Sequence, residues 1–160
     1  MTDSQLKTFL EEAESNPRQI AAAVSGLPDK VLRYKPVPDK WSILEVLGHV
    51  ADIEIVYAHR LRQMLADSQP TIAPIDQNAW AQHLGYLETP APELIAVYGL
   101  IRLHTLRLLR RLKQGDLEKG AFHPELDRQF TVAELIERIA KHGASHLGQI
   151  EKLKQEAGRR

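Results

Sequence analysis

Apolar residues recur at spacings of three and four positions through four long segments of the chain, which is the repeat of an amphipathic α-helix. The segments run from about 3 to 25, 42 to 65, 92 to 112 and 131 to 155. No stretch alternates between apolar and polar positions for long, as a half-buried strand would. The pattern predicts an all-α fold, a four-helix bundle formed by one domain over residues 1–160.

Local signals mark the ends of these helices. Ser42 with Glu45, and Thr131 with Glu134, match the capping box, in which each side chain bonds a free backbone N–H of the other residue. Pro17 lies inside the first segment and has no backbone N–H to donate, so we expect a kink or a restart there.

The connections between the predicted helices are long. Residues 27–41, 67–90 and 114–130 separate the helices, and none is short enough for a tight hairpin loop. Long connections permit crossovers, so the bundle need not follow simple up-down-up-down order. The longest connection is predicted to contain a short helical piece from about Asp76 to His83.

Composition and charge exclude several classes of protein. Lysine plus arginine and aspartate plus glutamate each total 21, so no basic excess favours general binding to nucleic acid. The chain has no cysteine, which excludes disulfides, thiolate metal sites and a cysteine nucleophile. It shows neither a signal-peptide pattern nor about 18 consecutive apolar residues. We therefore expect a cytoplasmic protein without a membrane segment.

Two histidines interrupt the apolar stripe of the fourth segment. His142 and His146 lie one helical turn apart, so their imidazoles share a helix face and can reach one cation. Burial of both without partners would leave unmet polar groups, at about 1–3 kcal/mol each. His49, at the edge of the second stripe, is the natural third ligand from another helix. The pattern alone leaves two alternatives: hydrogen-bonded histidines in the core, or a solvated His49.

The other four histidines are interpreted as surface residues. His59 neighbours an arginine on an expected exposed face, and His83 falls in the longest connection. His104 flanks an apolar run, and His123 precedes a proline in a loop.

Two blocks of sequence resemble the DinB/YfiT family of metal-binding four-helix bundles. The first is WSILEVLGHVADIE at 41–54, and the second is HGASHLGQI at 142–150. The two blocks together, in this order, are specific in a way that an isolated HxxxH pair is not. The likeness extends over nearly the whole chain, including Arg102 on the third helix and the loop sequence HPE at 123–125.

The resemblance implies that His49, His142 and His146 are the metal ligands, commonly for zinc or nickel. It also implies that homodimers are frequent. Many members have a further histidine just before the last ligand, where this chain has Ser145. That difference leaves the three ligands intact and alters the rim of the site.

Other polar residues near the expected ligands are candidates for supporting roles. Asp52, one turn beyond His49, could act as a general base, although a solvent-exposed aspartate is the commoner interpretation. Gln149 could orient a ligand imidazole or a bound water, or it could fill a polar gap in the bundle. Glu54 and Arg102 interrupt apolar stretches, and we predict that they form an inward ion pair.

Three neutral imidazoles would leave a divalent ion with an open coordination position, as in catalytic zinc sites. The family includes hydrolase-like members and enzymes that use a small cofactor thiol such as bacillithiol or mycothiol. This chain has no cysteine nucleophile, no glycine-rich phosphate loop and no convincing base beside His49. A thiol that arrives as the nucleophile needs none of these. We therefore expect metal-dependent transfer of a low-molecular-weight thiol to an electrophilic small-molecule substrate.

Two alternatives remain open on the sequence. The protein could be a metal-dependent hydrolase that uses metal-bound water. It could instead bind metal without turnover, as a stress-response protein. A cleft over the open metal position would distinguish an enzyme from a binding protein.

Overall fold

The four amphipathic segments form helices whose ends lie within three residues of the expected ends. The computed structural model describes residues 1–159. The long helices are α1 (Asp3–Val24), α3 (Ile43–Ala66), α5 (Ala91–Leu109) and α6 (Val132–Gly158), and the short ones are α2 (Asp29–Leu32) and α4 (Gln77–His83). No helix in this part of the chain combines the length and the apolarity needed to cross a membrane.

Both predicted capping boxes are formed. The Ser42 hydroxyl accepts a hydrogen bond from the Glu45 backbone N–H at 3.3 Å, and the Glu45 carboxylate accepts one from the Ser42 N–H at 2.8 Å. Thr131 and Glu134 make the same reciprocal pair at 3.2 and 2.8 Å. These bonds fix the starts of α3 and α6, the two helices that carry the candidate metal ligands.

The sequence did not predict a small β-hairpin that follows a 3₁₀ turn at Gln114–Glu118. Its antiparallel strands are β1 (Gly120–His123) and β2 (Arg128–Thr131). Strands of four residues are too short to show a clear alternating pattern. The segment after α3 also bonds to β1, since the Ile72 N–H donates to the Phe122 carbonyl at 2.8 Å.

The hairpin corrects one interpretation of the histidines. His59, His83 and His104 are exposed, as predicted. His123 is not on the surface: it lies in β1 with only 8% of its surface accessible. Its ring lies 5.8 Å from the ring of Phe130 on the neighbouring strand, so the cross-strand contact covers it.

The order in which the helices pack explains the longest connection. Helix α1 packs against α5 and α6, and so does α3, which places α1 diagonally across from α3. The buried residues form two clusters, one at each end of the bundle. Helix α3 ends in the cluster at the hairpin end, whereas α5 begins in the opposite cluster. Residues 67–90 must therefore cross the length of the bundle, which makes α3 and α5 parallel.

A buried polar layer separates the two apolar clusters. The Arg102 guanidinium donates to both carboxylate oxygens of Glu54, at 2.8 and 2.7 Å, and each side chain is only 1% exposed. Arg102 also donates to the backbone carbonyl of Ala13 at 2.7 Å. Pro17 has no N–H for that carbonyl, so the oxygen is available to the arginine. Helix α1 is continuous through Pro17 and does not restart there.

The predicted Glu54–Arg102 pair is therefore present and fully buried. The guanidinium carbon also lies 5.0 Å from the centre of the Tyr98 ring, a cation–π distance. Burial alone would lower the pKa of Arg102, but the hydrogen bonds and the negative charge of Glu54 hold that pKa above its ordinary value. Arg102 is accordingly charged in the folded protein.

We expect Glu54→Gln to lower the free energy of unfolding by about 3–5 kcal/mol, because it leaves the Arg102 charge buried without a counter-ion. Urea unfolding followed by circular dichroism measures the change. The control is Glu11→Gln, which removes an exposed pair with Lys7 at 3.9 Å and should change the stability by less than about 1 kcal/mol. Equal stability of the two variants would contradict the assigned role of the buried pair.

Candidate metal centre

The three candidate histidines meet between α3 and α6. The Nε2 atom of His142 lies 3.2 Å from Nε2 of His49 and 3.1 Å from Nε2 of His146. One ring nitrogen from each histidine lies within 4.8 Å of the other two. Zinc–nitrogen bonds of about 2.0–2.1 Å place two ligands of a tetrahedral ion about 3.3 Å apart. The two separations that involve His142 match this value, so the three rings form a candidate donor set for a single divalent ion.

Gln149 fixes the orientation of one ring. Its side-chain carbonyl lies 2.9 Å from Nδ1 of His146. A carbonyl can only accept, so this bond places the ring proton on Nδ1 and leaves the Nε2 lone pair directed at the other two histidines. Gln149 thus contacts a candidate ligand from behind, the position in which a partner sets the tautomer of a metal-binding imidazole.

Burial keeps the three rings neutral. Burial, together with the nearby His146 ring, lowers the pKa of His49 to about 4 and, with further nearby groups, that of His142 to about 2. The pKa of His146 is also lowered, chiefly by burial. Neutral imidazole is the form that binds a metal ion, so all three rings are in that form at neutral pH.

Aromatic side chains pack on both sides of the cluster. The Trp41 ring centre lies 4.8 Å from that of His49, and the Tyr57 ring meets His142 edge-on at 5.5 Å. Burial raises the pKa of Tyr57 to about 12, so its hydroxyl stays protonated. These rings limit the rotation of the two histidines and keep water from one side of each.

Asp52 does not lie where the general-base hypothesis would place it. It is half-buried, and its carboxylate accepts a hydrogen bond from the Tyr86 hydroxyl at 2.5 Å. The Tyr86 ring packs directly on Gly48, where an added Cβ would come within 2.3 Å of the ring. Burial, together with the bond to Asp52, raises the pKa of Tyr86. Asp52 therefore anchors the crossover connection to α3, and it does not line the cavities at the histidines.

A second glycine lets α1 approach α6 beside the cluster. A Cβ on Gly143 would lie 2.5 Å from Nδ2 of Asn16 and 2.8 Å from its Cβ. Asn16 is buried, and its amide donates to the Ala140 carbonyl at 2.8 Å. The missing side chain of Gly143 therefore permits this contact one residue away from His142.

Two cavities open beside the histidines. The smaller, of about 320 Å³, is lined by His49 and His142 on one side and by His123 and Glu125 from the hairpin on another. The larger, of about 520 Å³, also reaches His142 and includes Ser145. Both are lined by Tyr57, Arg138 and His142. A cavity is thus present next to two of the three rings.

Sequence reasoning missed the residues that the hairpin contributes to this cleft. Their segment was interpreted as a surface loop, and no sequence pattern linked His123 or Glu125 to the three candidate ligands. The only signal was their place in the segment HPE at 123–125, which shares in the likeness to the DinB/YfiT family. Arg60 and Arg138, which also line the smaller cavity, gave no signal at all.

The fold and the histidine cluster together define the class: a crossed four-helix bundle with a candidate site for one metal ion. The family model of the DinB superfamily matches residues 12–150, so the chain belongs to that superfamily. It is also similar in structure to YfiT from Bacillus subtilis, with a TM-score of 0.92, 22% identity, and coverage of 99% of this chain and 90% of that chain. That structure is described as having an unusual four-helix bundle topology.

Two relatives from Bacillus species match most of the sequence. One from Bacillus cereus (strain 03BB102) is 29% identical, across 97% of this chain and 88% of its own length. One from Bacillus anthracis (strain A0248) is 28% identical with the same coverage. Both are provisionally named as metal-dependent hydrolases. These names and the histidine cluster together support metal binding by this protein.

We expect Gly143→Ala to destabilise the fold by about 1–3 kcal/mol, because the new methyl group must displace Asn16 from between α1 and α6. Gly148→Ala on the same helix meets no atom within 4 Å and should instead stabilise by about 0.5–1 kcal/mol. Thermal and urea unfolding of the two variants measure the difference. Stabilisation by both substitutions would contradict the close packing at Gly143.

Proposed function

We propose that this protein is a metal-dependent hydrolase that holds one divalent ion, zinc or nickel, through Nε2 of His49, His142 and His146. The observation that carries the proposal is the convergence of these three atoms beside a cavity that His49 and His142 line. Three protein ligands leave a coordination position for a reactant, as catalytic sites require. The provisional names of the relatives support the same class of activity.

When bound, the ion would supply a Lewis acid that polarises an oxygen atom of the substrate. The chain's own residues do the positioning. Gln149 holds the His146 ring in one tautomer, and Trp41 and Tyr57 pack against the other two rings. The cavity admits a small molecule next to His49 and His142.

The hairpin is the reason to favour hydrolysis over thiol transfer. The sequence favoured a thiol because no convincing base was apparent beside His49. In the folded chain, Glu125 lines the same cavity as His49 and His142. A carboxylate there can accept the proton of an attacking water molecule. Neither the relatives nor the cavity offers support for the expected transferase activity.

We expect the purified protein to bind about one equivalent of divalent metal per chain, and His49→Ala, His142→Ala and His146→Ala each to lose it. Gln149→Leu should keep the stoichiometry and weaken affinity by about 10–100-fold, because it frees the His146 ring. Elemental analysis measures the metal stoichiometry, and competition with a chelator measures the affinity.

The control for metal binding is His104→Ala, an exposed histidine on α5 that should leave both quantities unchanged. Metal should also raise the free energy of unfolding by about 2.7 kcal/mol when its concentration is a hundred times Kd. Full metal content in any one of the three alanine variants would remove that histidine from the ligand set.

We expect the metal-loaded protein to hydrolyse members of a panel of nitrophenyl carboxylic and phosphoric esters. Glu125→Gln should lower kcat about 10²–10⁴-fold with unchanged metal content, because the amide cannot accept the proton from water. The matched control is Glu93→Gln, an exposed glutamate on α5 outside the cavities.

The alternative hypothesis, thiol transfer, predicts a distinct absorption spectrum. In cobalt-substituted protein, a low-molecular-weight thiol that ligates the ion would add an intense thiolate-to-metal absorption band. The hydrolase hypothesis predicts no such band at millimolar thiol. A strong band, with no hydrolysis of any ester in the panel, would favour the thiol transferase over the hydrolase.

A further inference from the structure

Two arginines line the smaller cavity without a carboxylate partner. Arg60 on α3 donates to the Ala73 carbonyl at 2.9 Å, and Arg138 on α6 lies over the Phe130 ring at 5.3 Å. Within residues 1–159 neither side chain forms an ion pair at 4.0 Å or less, whereas Arg128 and Lys141 at the neighbouring cavity are both paired. The contacts to Ala73 and Phe130 hold the two guanidinium groups at the cavity and leave donors unused.

The charge of this cavity is positive before any metal is counted. Its lining contains two arginines and one acidic residue, Glu125. Burial and the positive charge of nearby Arg138 lower the pKa of Arg60, and Tyr57 and Glu125 oppose part of that change. Two cations that repel each other at a partly buried wall gain stability from an anion placed between them.

A third polar group at the same wall has no partner. The His123 side chain is more than nine-tenths buried, and its Nδ1 atom makes no hydrogen bond within residues 1–159. A buried polar atom left unpaired is unfavourable by about 1–3 kcal/mol, so native proteins rarely keep one without a reason. The atom belongs to a residue that lines the cavity, but the atom itself is covered, so a bond to a ligand there requires the ring to turn.

From these groups we infer that the cavity beside the histidine cluster binds an oxyanion group, a carboxylate or a phosphate, of an anionic small-molecule substrate. Arg60 and Arg138 contact the oxyanion, because guanidinium donors match the geometry of both anions. A turn of the His123 ring would let its Nδ1 atom bond to a second polar atom of the same molecule. The inference rests on the proposed hydrolase and names its substrate class: small anions, since about 320 Å³ is at the lower end of ligand pockets.

Calorimetric titration of the zinc-loaded protein with benzoate, phenyl phosphate and neutral benzamide tests the inference. We expect benzoate or phenyl phosphate to bind at least about tenfold more tightly than benzamide, and the better of the two identifies the oxyanion. Arg60→Gln and Arg138→Gln should each weaken anion binding by about tenfold or more, because each removes a charged donor. Benzamide binding should not change.

The matched control is Arg62→Gln, on the same helix as Arg60. Arg62 donates to the Ala58 carbonyl of its own helix and does not line either cavity beside the histidines. If Arg62→Gln weakened anion binding as much as the other two, or if benzoate, phenyl phosphate and benzamide bound equally, the inference would be wrong.

The titration does not depend on turnover. Charge-dependent binding that needs Arg60 and Arg138, in a protein that hydrolyses nothing, would contradict the hydrolase and leave the anion site standing. Hydrolysis of neutral esters with no charge-dependent binding would contradict the anion site and support the hydrolase.

Discussion

A guanidinium and a carboxylate can be buried in a helical bundle only if nearly every polar atom of both groups finds a partner. Arg102 on α5 meets that condition with partners from each of the other long helices. It bonds to Glu54 on α3 and to the Ala13 carbonyl on α1, and it lies 3.4 Å from the Ile139 carbonyl on α6. Because these bonds are short and directional, they fix the relative heights of all four helices at one level of the bundle.

The histidine cluster lies beside that level. Along α6, Ile139 precedes His142 by less than one turn, and along α3, Glu54 follows His49 by little more than one turn. A slip of α3 along its axis would therefore break the ion pair and move His49 away from the other two imidazoles. A slip of α6 would break the contact between Arg102 and the Ile139 carbonyl and move His142 and His146 away from His49. The buried guanidinium also contributes to the low pKa of His142, after burial and the neighbouring rings, and so favours its neutral form. The structural charge pair and the candidate metal centre are parts of one polar layer.

Around this layer, the chemistry depends on segments outside the helices. The crossover connection is attached to α3 through Tyr86, which packs on Gly48 and bonds to Asp52. At the other end, the hairpin carries His123 and Glu125 to the cavity wall. The helices hold the candidate ligands and the two cavity arginines, and the hairpin adds His123 and Glu125 to the cavity wall. This division is common, since rigid elements position a site and loops vary its chemistry.

The sequence by itself determined the four long helices, their capping boxes, the i, i+4 pair of histidines and the pairing of Glu54 with Arg102. Each of these depends on spacing within a helix or on charged residues set in an apolar stripe, and such signals are local. Only the tertiary structure decided that His123 is buried, that Asp52 binds Tyr86 and that Arg60 and Arg138 share a cavity. Those outcomes depend on contacts between residues far apart in the chain. The hairpin's strands are four residues long and take an additional backbone partner from the crossover connection, so no local pattern could specify them.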